Sequence, residues 1–187
     1  MRIPRSMLTS AARRAGPKRS LLKDENGATA VEFGMIATPF LLFVLGILGM
    51  GLYYLALISL EYGVESAARK IRTGEAEKGA LTVGGFKSLV CAAAFGIDCS
   101  KVTVIIKSEK TWSDIAPQSC VTNGTQTPSS GNATDALSKY SGSASQVVLV
   151  TACYHWTIAD RFKFMKFSDS DQTILQAATA FKNEPYN

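Results

Sequence analysis

The sequence predicts an α+β fold, in which a long N-terminal transmembrane helix continues into a small head with an antiparallel sheet. Three observations predict it. Residues 33–60 form a run of 28 side chains without a charge, about 42 Å as helix and longer than the roughly 20 residues that cross a bilayer. An amphipathic helical pattern then carries on to Gly74. Beyond it, three β-rich segments follow one another outside any βαβ alternation, an order that favours antiparallel neighbours.

A basic leader, residues 1–27, precedes the span. It holds seven basic side chains (Arg2, Arg5, Arg13, Arg14, Lys18, Arg19 and Lys23) against Asp24 and Glu25, and seven less two is the whole formal net charge of +5. The other residues balance at 13 basic and 13 acidic. This distribution removes the argument for a nucleic-acid partner and leaves a topological one, because clustered Arg and Lys hold their flank of a span in the cytoplasm. The N-terminus is therefore expected inside, and residues 74–187 outside as an extracytoplasmic head. A secretory signal would have an apolar region of roughly 7–15 residues ending in a cleavage site, and this run is about twice that length. Arg13-Arg14 lacks the hydrophobic residues that follow a twin-arginine signal. Asp24 and Glu25, directly before the span, fit a mitochondrial presequence poorly. The span is expected to stay in the protein.

At the junction come small residues, an acid and then the span: Gly27-Ala28-Thr29-Ala30-Val31-Glu32-Phe33. A peptidase at the cytoplasmic face could cut after Gly27, where no side chain obstructs it. Ala28 would then be the new terminus, with Glu32 four residues later on the same helical face. A carboxylate near a helix N-terminus is favoured by the dipole and could pair with a free α-amine; a lone carboxylate in lipid is costly and usually functional. The alternative is an interfacial Glu32 that simply sits among the headgroups.

Within the helix expected over residues 28–73, Pro39 removes a donor and crowds the preceding turn, which predicts a kink near residues 35–39. Gly34, Gly46, Gly49 and Gly51 are small positions where another helix could approach, and Ala30 and Gly34 form one small-xxx-small face. Glycine is also simply common in spans. Tyr53, Tyr54 and Tyr62 lie toward the outer end, as an aromatic belt does. Val64, Ala67, Ala68 and Ile71 then repeat at helical spacing, with Glu65, Arg69 and Arg72 on other faces. A second helix is expected from about residue 82 to 95, with Leu89, Val90, Ala93 and Ala94 inward and Gly96 ending it.

The strands are expected at residues 101–107, 146–157 and 173–181, the alanines of the third leaving helix open. Residues 110–145 between the first two read as a long Ser-, Thr-, Asn- and Gly-rich loop, longer than loops in compact domains usually run. Asn123-Gly124-Thr125 and Asn132-Ala133-Thr134 match the N-glycosylation pattern. Four cysteines (Cys91, Cys99, Cys120 and Cys153) all lie on the outward side, where disulfides persist. They allow three pairings. The short loop from Cys91 to Cys99 favours that bridge and leaves Cys120 with Cys153; free thiols or a single bridge remain alternatives.

Nothing reads as a catalytic site, and no cofactor or small-molecule substrate is expected. His155 is a lone histidine within a strand, better taken as hydrogen-bonded than as a metal ligand. Asp169-Ser170-Asp171 reads as a polar turn rather than a calcium site. The segment 161–171 reads as a connection with a packed aromatic edge, in preference to a membrane- or partner-binding patch.

The junction followed by an apolar helix resembles the type IV prepilin motif, in which a prepilin peptidase cuts after glycine and glutamate is the fifth mature residue. Phe33 occupies the sixth place, where the Tad (Flp) branch often has tyrosine. The wider pattern GATAVEFGMIATPFLLFVLGIL is similar to the TadE-like family of Tad pilus pseudopilins. So are the tail over residues 178–186 and the segment from Cys91 to Val104 with its Asp98-Cys99-Ser100 turn. This resemblance implies a pilin-like head in the periplasm, an inner-membrane anchor, cleavage between Gly27 and Ala28, and assembly with other pilins through the helix. It implies a role in building a Tad-type pilus, and so in adherence and biofilm formation. Two other readings share parts of the sequence: an uncleaved single-span envelope protein with a ligand- or partner-binding head, and a type II secretion pseudopilin.

Overall fold

The computed structural model describes residues 26–78, 80–161 and 172–185. The leader up to residue 25 and the segment 162–171, with Asp169-Ser170-Asp171, lie outside the described residues. Two compact units divide the chain, residues 1–45 and residues 46–187.

Helix α1 runs from Asn26 to Arg72, 47 residues, and continues through Pro39 as helix. The assignment stays helical over residues 35–39, where the kink is expected. Proline removes one helical hydrogen bond and its ring crowds the preceding turn; beside it the Thr38 hydroxyl donates to the Gly34 carbonyl at 2.7 Å. In the first unit the described residues are all α1, and Val31, Phe33, Met35, Ile36, Phe40 and Phe43 are exposed.

The second unit holds the rest of α1 and the head. Leu60, Val64, Ala67, Ala68 and Ile71 are buried on one face, the spacing of an amphipathic helix packed on a core. Tyr53, Ala56 and Leu57 already pack against that core. The head therefore covers α1 from Tyr53 onward, inside the uncharged run. Gly74, at φ 72°, ends the helix. Its N–H donates to the Ile71 carbonyl at 3.0 Å, and the Glu184 N–H satisfies the Arg72 carbonyl at 3.0 Å, closing acceptors that a helix end leaves open. A single turn, α2 (Glu75–Lys78), follows.

Helix α3 spans Val83–Ala93, with the Thr82 side chain accepting the Gly85 N–H as its N-cap. Its buried residues are Val83, Phe86, Val90 and Ala94, and Leu89 packs against the same core, so of the expected inward set only Ala93 is not in that core. Leu89 and Ala93 are half-buried, and the fully buried Phe86 is the anchor. Starting the helix at Val83 sets this phase, since positions three and four apart share a face. Gly96, at φ 71°, turns the chain through a short 3-10 turn, Cys99–Lys101, into the sheet.

The sheet has the order β1 (Val102–Glu109), β4 (Val147–His155), β5 (Ile174–Lys182), all antiparallel. Val102, Val104, Ile106, Val148, Val150, Ala152, Tyr154, Leu175 and Ala177 face the helices and close the core. Central β4 is buried along its first eight residues, because its other face is covered as well, around Ile105, Cys120 and Cys153. The strands lie alongside α1. Near the Val147 end Glu184 meets Arg72, and just past His155 the Trp156 ring sits 5.8 Å from that of Tyr53. β1 runs two residues beyond expectation, and β4 stops at His155 where α5 (Thr157–Arg161) begins after Trp156. β5 is strand despite its alanines, because all nine residues pair with β4.

Residues 110–145 are more ordered than a plain loop. Asn123 and Gly124 both have positive φ, 53° and 78°, as a two-residue type I′ hairpin requires, and join β2 (Val121–Thr122) to β3 (Thr125–Gln126). Ser129 and Ser130 then line the outer edge of β1. Their hydroxyls accept the Val104 and Ile106 N–H groups at 3.0 and 2.8 Å, blunting an edge that could otherwise pair with another chain. The segment next bridges Ala136 to Thr82 and forms a short turn, α4 (Ser138–Ser141).

Candidate functional site

Gly27 and Ala28 lie in the first turn of α1, and both are exposed. A Cβ built on Gly27 would meet nothing within 4 Å, and the same holds for Gly34, Gly46 and Gly51. Glycine in a helix costs roughly 0.5–1 kcal/mol relative to alanine, so packing within the chain does not account for these positions. Glu32 and Phe33 are exposed on the same helix, and Glu32 has no hydrogen-bond or ion-pair partner among the described residues. α1 is the helix long and apolar enough to cross a membrane by length and composition, with a mean hydropathy of 2.4 over its most apolar 18-residue window. Gly27, Ala28, Glu32 and Phe33 are thus brought together on one exposed helix terminus.

Both bridges in the head are formed. Cys91 joins Cys99, clipping the C-terminal turn of α3 to the start of β1. Cys120 joins Cys153 and pins residues 110–145 to the central strand. Gln126 reinforces that seam, its Nε2 donating to the Cys153 and Lys101 carbonyls at 2.8 and 3.0 Å.

His155 is the last residue of β4, not its middle, and its Nε2 lies 2.7 Å from Asp160 Oδ2 in α5. Among the described residues, three carboxylates past the end of α1 titrate low: the Lys70 ammonium, hydrogen-bonded to Glu75, holds it below the ordinary carboxylate range, and two more lie further along. The Ser100 hydroxyl and N–H hold Asp98 below the ordinary carboxylate range, and the Asn132 N–H, with Lys139 and Tyr140, does the same for Asp135. Each stabilises a turn. Among the described residues, no group of three His, Cys, Asp or Glu side chains converges to hold a metal ion. A hollow of about 320 Å³ on the outer face of the sheet, lined by Trp112, Ile115, Pro117 and Leu149 among others, contains no titratable side chain.

Sequence reasoning missed Gly63. It is buried in α1, and a Cβ there would stand 2.6 Å from the Val90 carbonyl oxygen. This is the glycine that lets α3 lie against α1. The signal was available: Gly63 falls between Leu60 and Val64 on the very face whose apolar residues turn inward.

Residues 27–69 match the family model described as TadE-like protein. No curated protein and no solved structure matches the chain. The match begins at Gly27 and ends within the turn of α1 that packs in the head, so it covers the junction, the apolar run and the first core-facing residues.

Proposed function

We propose, taking the TadE-like match over residues 27–69 as premise, that the chain is a minor pilin or pseudopilin needed to assemble a Tad-type (Flp) pilus. The family implies association with a Tad pilus; the finer role rests on the helix terminus. The observation that carries it is the exposed array Gly27, Ala28, Glu32 on one apolar helix. Among the described residues its glycine has no packing reason and its carboxylate has no partner.

In this reading the basic leader holds the N-terminus in the cytoplasm, and the α1 run spans the inner membrane with the head in the periplasm. A prepilin peptidase cuts between Gly27 and Ala28. The new α-amine is a positive charge at a helix N-terminus, where the dipole disfavours it. In a bundle of like helices, Glu32 of one subunit offsets the amine of its neighbour, and burial in apolar surroundings strengthens that attraction. Phe33 and the open glycine positions 34, 46 and 51 let helices approach closely. The chain is then a substrate of a peptidase and not an enzyme, and its work in adherence and biofilm formation is done through packing. Disulfides in the head suit the oxidising periplasm.

Crosslinking through residues 28–60, followed by purification from piliated cells, tests this reading. Recovery of other pilins supports it. An uncleaved envelope protein yields no pilin and leaves pili intact on deletion, and a type II secretion pseudopilin yields secretion components instead.

A further inference from the structure

We propose that Cys91–Cys99 is a thiol–disulfide exchange site: in the folded protein it opens to an external dithiol and recloses with a disulfide donor, while Cys120–Cys153 stays locked. The two bridges have this division of labour whether or not α1 is processed.

In disulfide exchange a thiolate approaches one sulfur in line with the S–S bond, so access decides which bridge reacts. Cys99 is exposed and Cys91 half-buried, whereas Cys120 and Cys153 are 4% and 0% exposed. Those two pack with Ile105, and Cys153 lies in the central strand between Thr103 of β1 and Gln176 of β5. A nucleophile meets Cys99 from solvent. It reaches the second bridge only after the segment carrying Cys120 lifts from the sheet.

Reversible opening also needs a turn that other bonds hold, and the exposed bridge has one. The Ala94 N–H donates to the Val90 carbonyl at 3.0 Å, and the Ser59 hydroxyl to the Phe95 carbonyl at 2.7 Å. Ile97 packs against the core, and the Asp98 carboxylate accepts the Ser100 N–H and hydroxyl at 3.0 and 2.7 Å. With these in place the opened cysteines, eight residues apart in sequence, stay close enough to rejoin. The entropy that a crosslink removes grows with the loop it closes, so the 33-residue separation of Cys120 and Cys153 marks the structural bridge and the eight-residue one the adjustable bridge.

The step balances with a dithiol as reductant. One thiolate of the dithiol attacks Cys99 Sγ; a new S–S bond joins the two, and the electron pair of the old bridge leaves on Cys91 Sγ, which takes a proton from water. The second thiol of the reagent, as its thiolate, then attacks the reagent's own sulfur in the mixed disulfide. Cys99 leaves and is protonated, and the reagent departs as a disulfide. Two electrons pass from dithiol to bridge, and a disulfide donor runs the same steps backward. Opening releases the last turn of α3, where Val90 and Ala94 meet Gly63 of α1, so the state of this pair acts on the contact between the two helices.

The test treats the full chain in micelles, without denaturant, with dithiothreitol. Samples are quenched in acid over time, free thiols are alkylated with one isotopic form of N-ethylmaleimide, and the rest with a second form after full reduction. Peptide mass spectrometry then reads each cysteine. Cys91 and Cys99 are expected to open together, about tenfold or more faster than Cys120 and Cys153, with near-ultraviolet dichroism of the head retained. Oxidised glutathione is expected to restore the bridge. A short exposure to reduced glutathione, a monothiol, is expected to leave its adduct on Cys99. One common rate for both bridges overturns the proposal, as does opening of Cys91–Cys99 only when the dichroism is lost, or failure of the bridge to re-form. An early adduct on Cys91 overturns the choice of Cys99 as the attacked sulfur.

Discussion

A Cβ on Gly63 would stand 2.6 Å from the carbonyl oxygen of Val90 and 3.0 Å from Cβ of Ala94, so α1 and α3 touch backbone to backbone. Gly63→Ala gains about 0.5–1 kcal/mol of helix propensity but forces backbone apart, and overpacking of this kind costs about 1–3 kcal/mol. The second term wins. Thermal unfolding of the full chain in micelles, followed by near-ultraviolet dichroism, is expected to show a lower midpoint for Gly63→Ala. Gly46→Ala and Gly51→Ala, which meet nothing within 4 Å, keep the propensity gain without the clash and are expected not to lower it.

This contact also shows where the sequence stops being legible. The helical period of α1 is written plainly in Leu60, Val64, Ala67 and Ile71, since each faces one continuous core. The three strands are legible for the same local reason, β-branched and aromatic runs on a pleated surface. Phe86 is not, and Gly63 is legible only as a small residue on that face, without the contact it serves. Both depend on where a second helix lands, a tertiary fact that periodicity in one element does not carry. The hairpin at Asn123-Gly124 was readable by its turn chemistry but lay inside a segment whose composition suggests a loop. The order of Gly27, Ala28 and Glu32 is read from the sequence alone, and the fold adds that all three are exposed at the start of α1.

The Cys120–Cys153 bridge closes 33 residues of separation, and removing a crosslink of that span from the unfolded chain costs about 3–4 kcal/mol in the loop-entropy account. Cys120→Ser with Cys153→Ser is expected to lower the unfolding midpoint. It is also expected to make residues 112–130 accessible to protease while α1 and α3 stay protected. Cleavage mapped by mass spectrometry checks both.

Asp135 accepts the Asn132 N–H at 2.8 Å and the Lys139 ammonium at 3.2 Å. Its backbone carbonyl accepts the Val83 N–H at 2.9 Å, at the start of α3. Because its carboxyl titrates below the unfolded value of 3.8, its contribution is fully present above that pH and is lost as pH falls through the folded value. Unfolding midpoints measured from about pH 6 downward are expected to drop less steeply below pH 4 in Asp135→Asn than in the parent chain. Parallel curves would contradict this role.

Glu32→Ala removes the carboxylate proposed to meet a neighbour's amine, and among the described residues that carboxylate has no partner. Cleavage of the leader is expected to proceed, while piliation, counted by electron microscopy, falls. Glu32→Asp, which keeps the charge on a shorter arm, is expected to restore it in part. Full piliation with Glu32→Ala would remove the charge-pair role and leave Glu32 as an interfacial residue.

The most direct test is the amino terminus of the protein taken from cells with and without the prepilin peptidase, read by N-terminal sequencing and intact mass. The account predicts a mature chain beginning at Ala28 when the peptidase is present, and a chain that keeps its leader when it is absent. A protein that begins at Met1 in both would contradict processing at Gly27, and with it the place of this helix in a fibre.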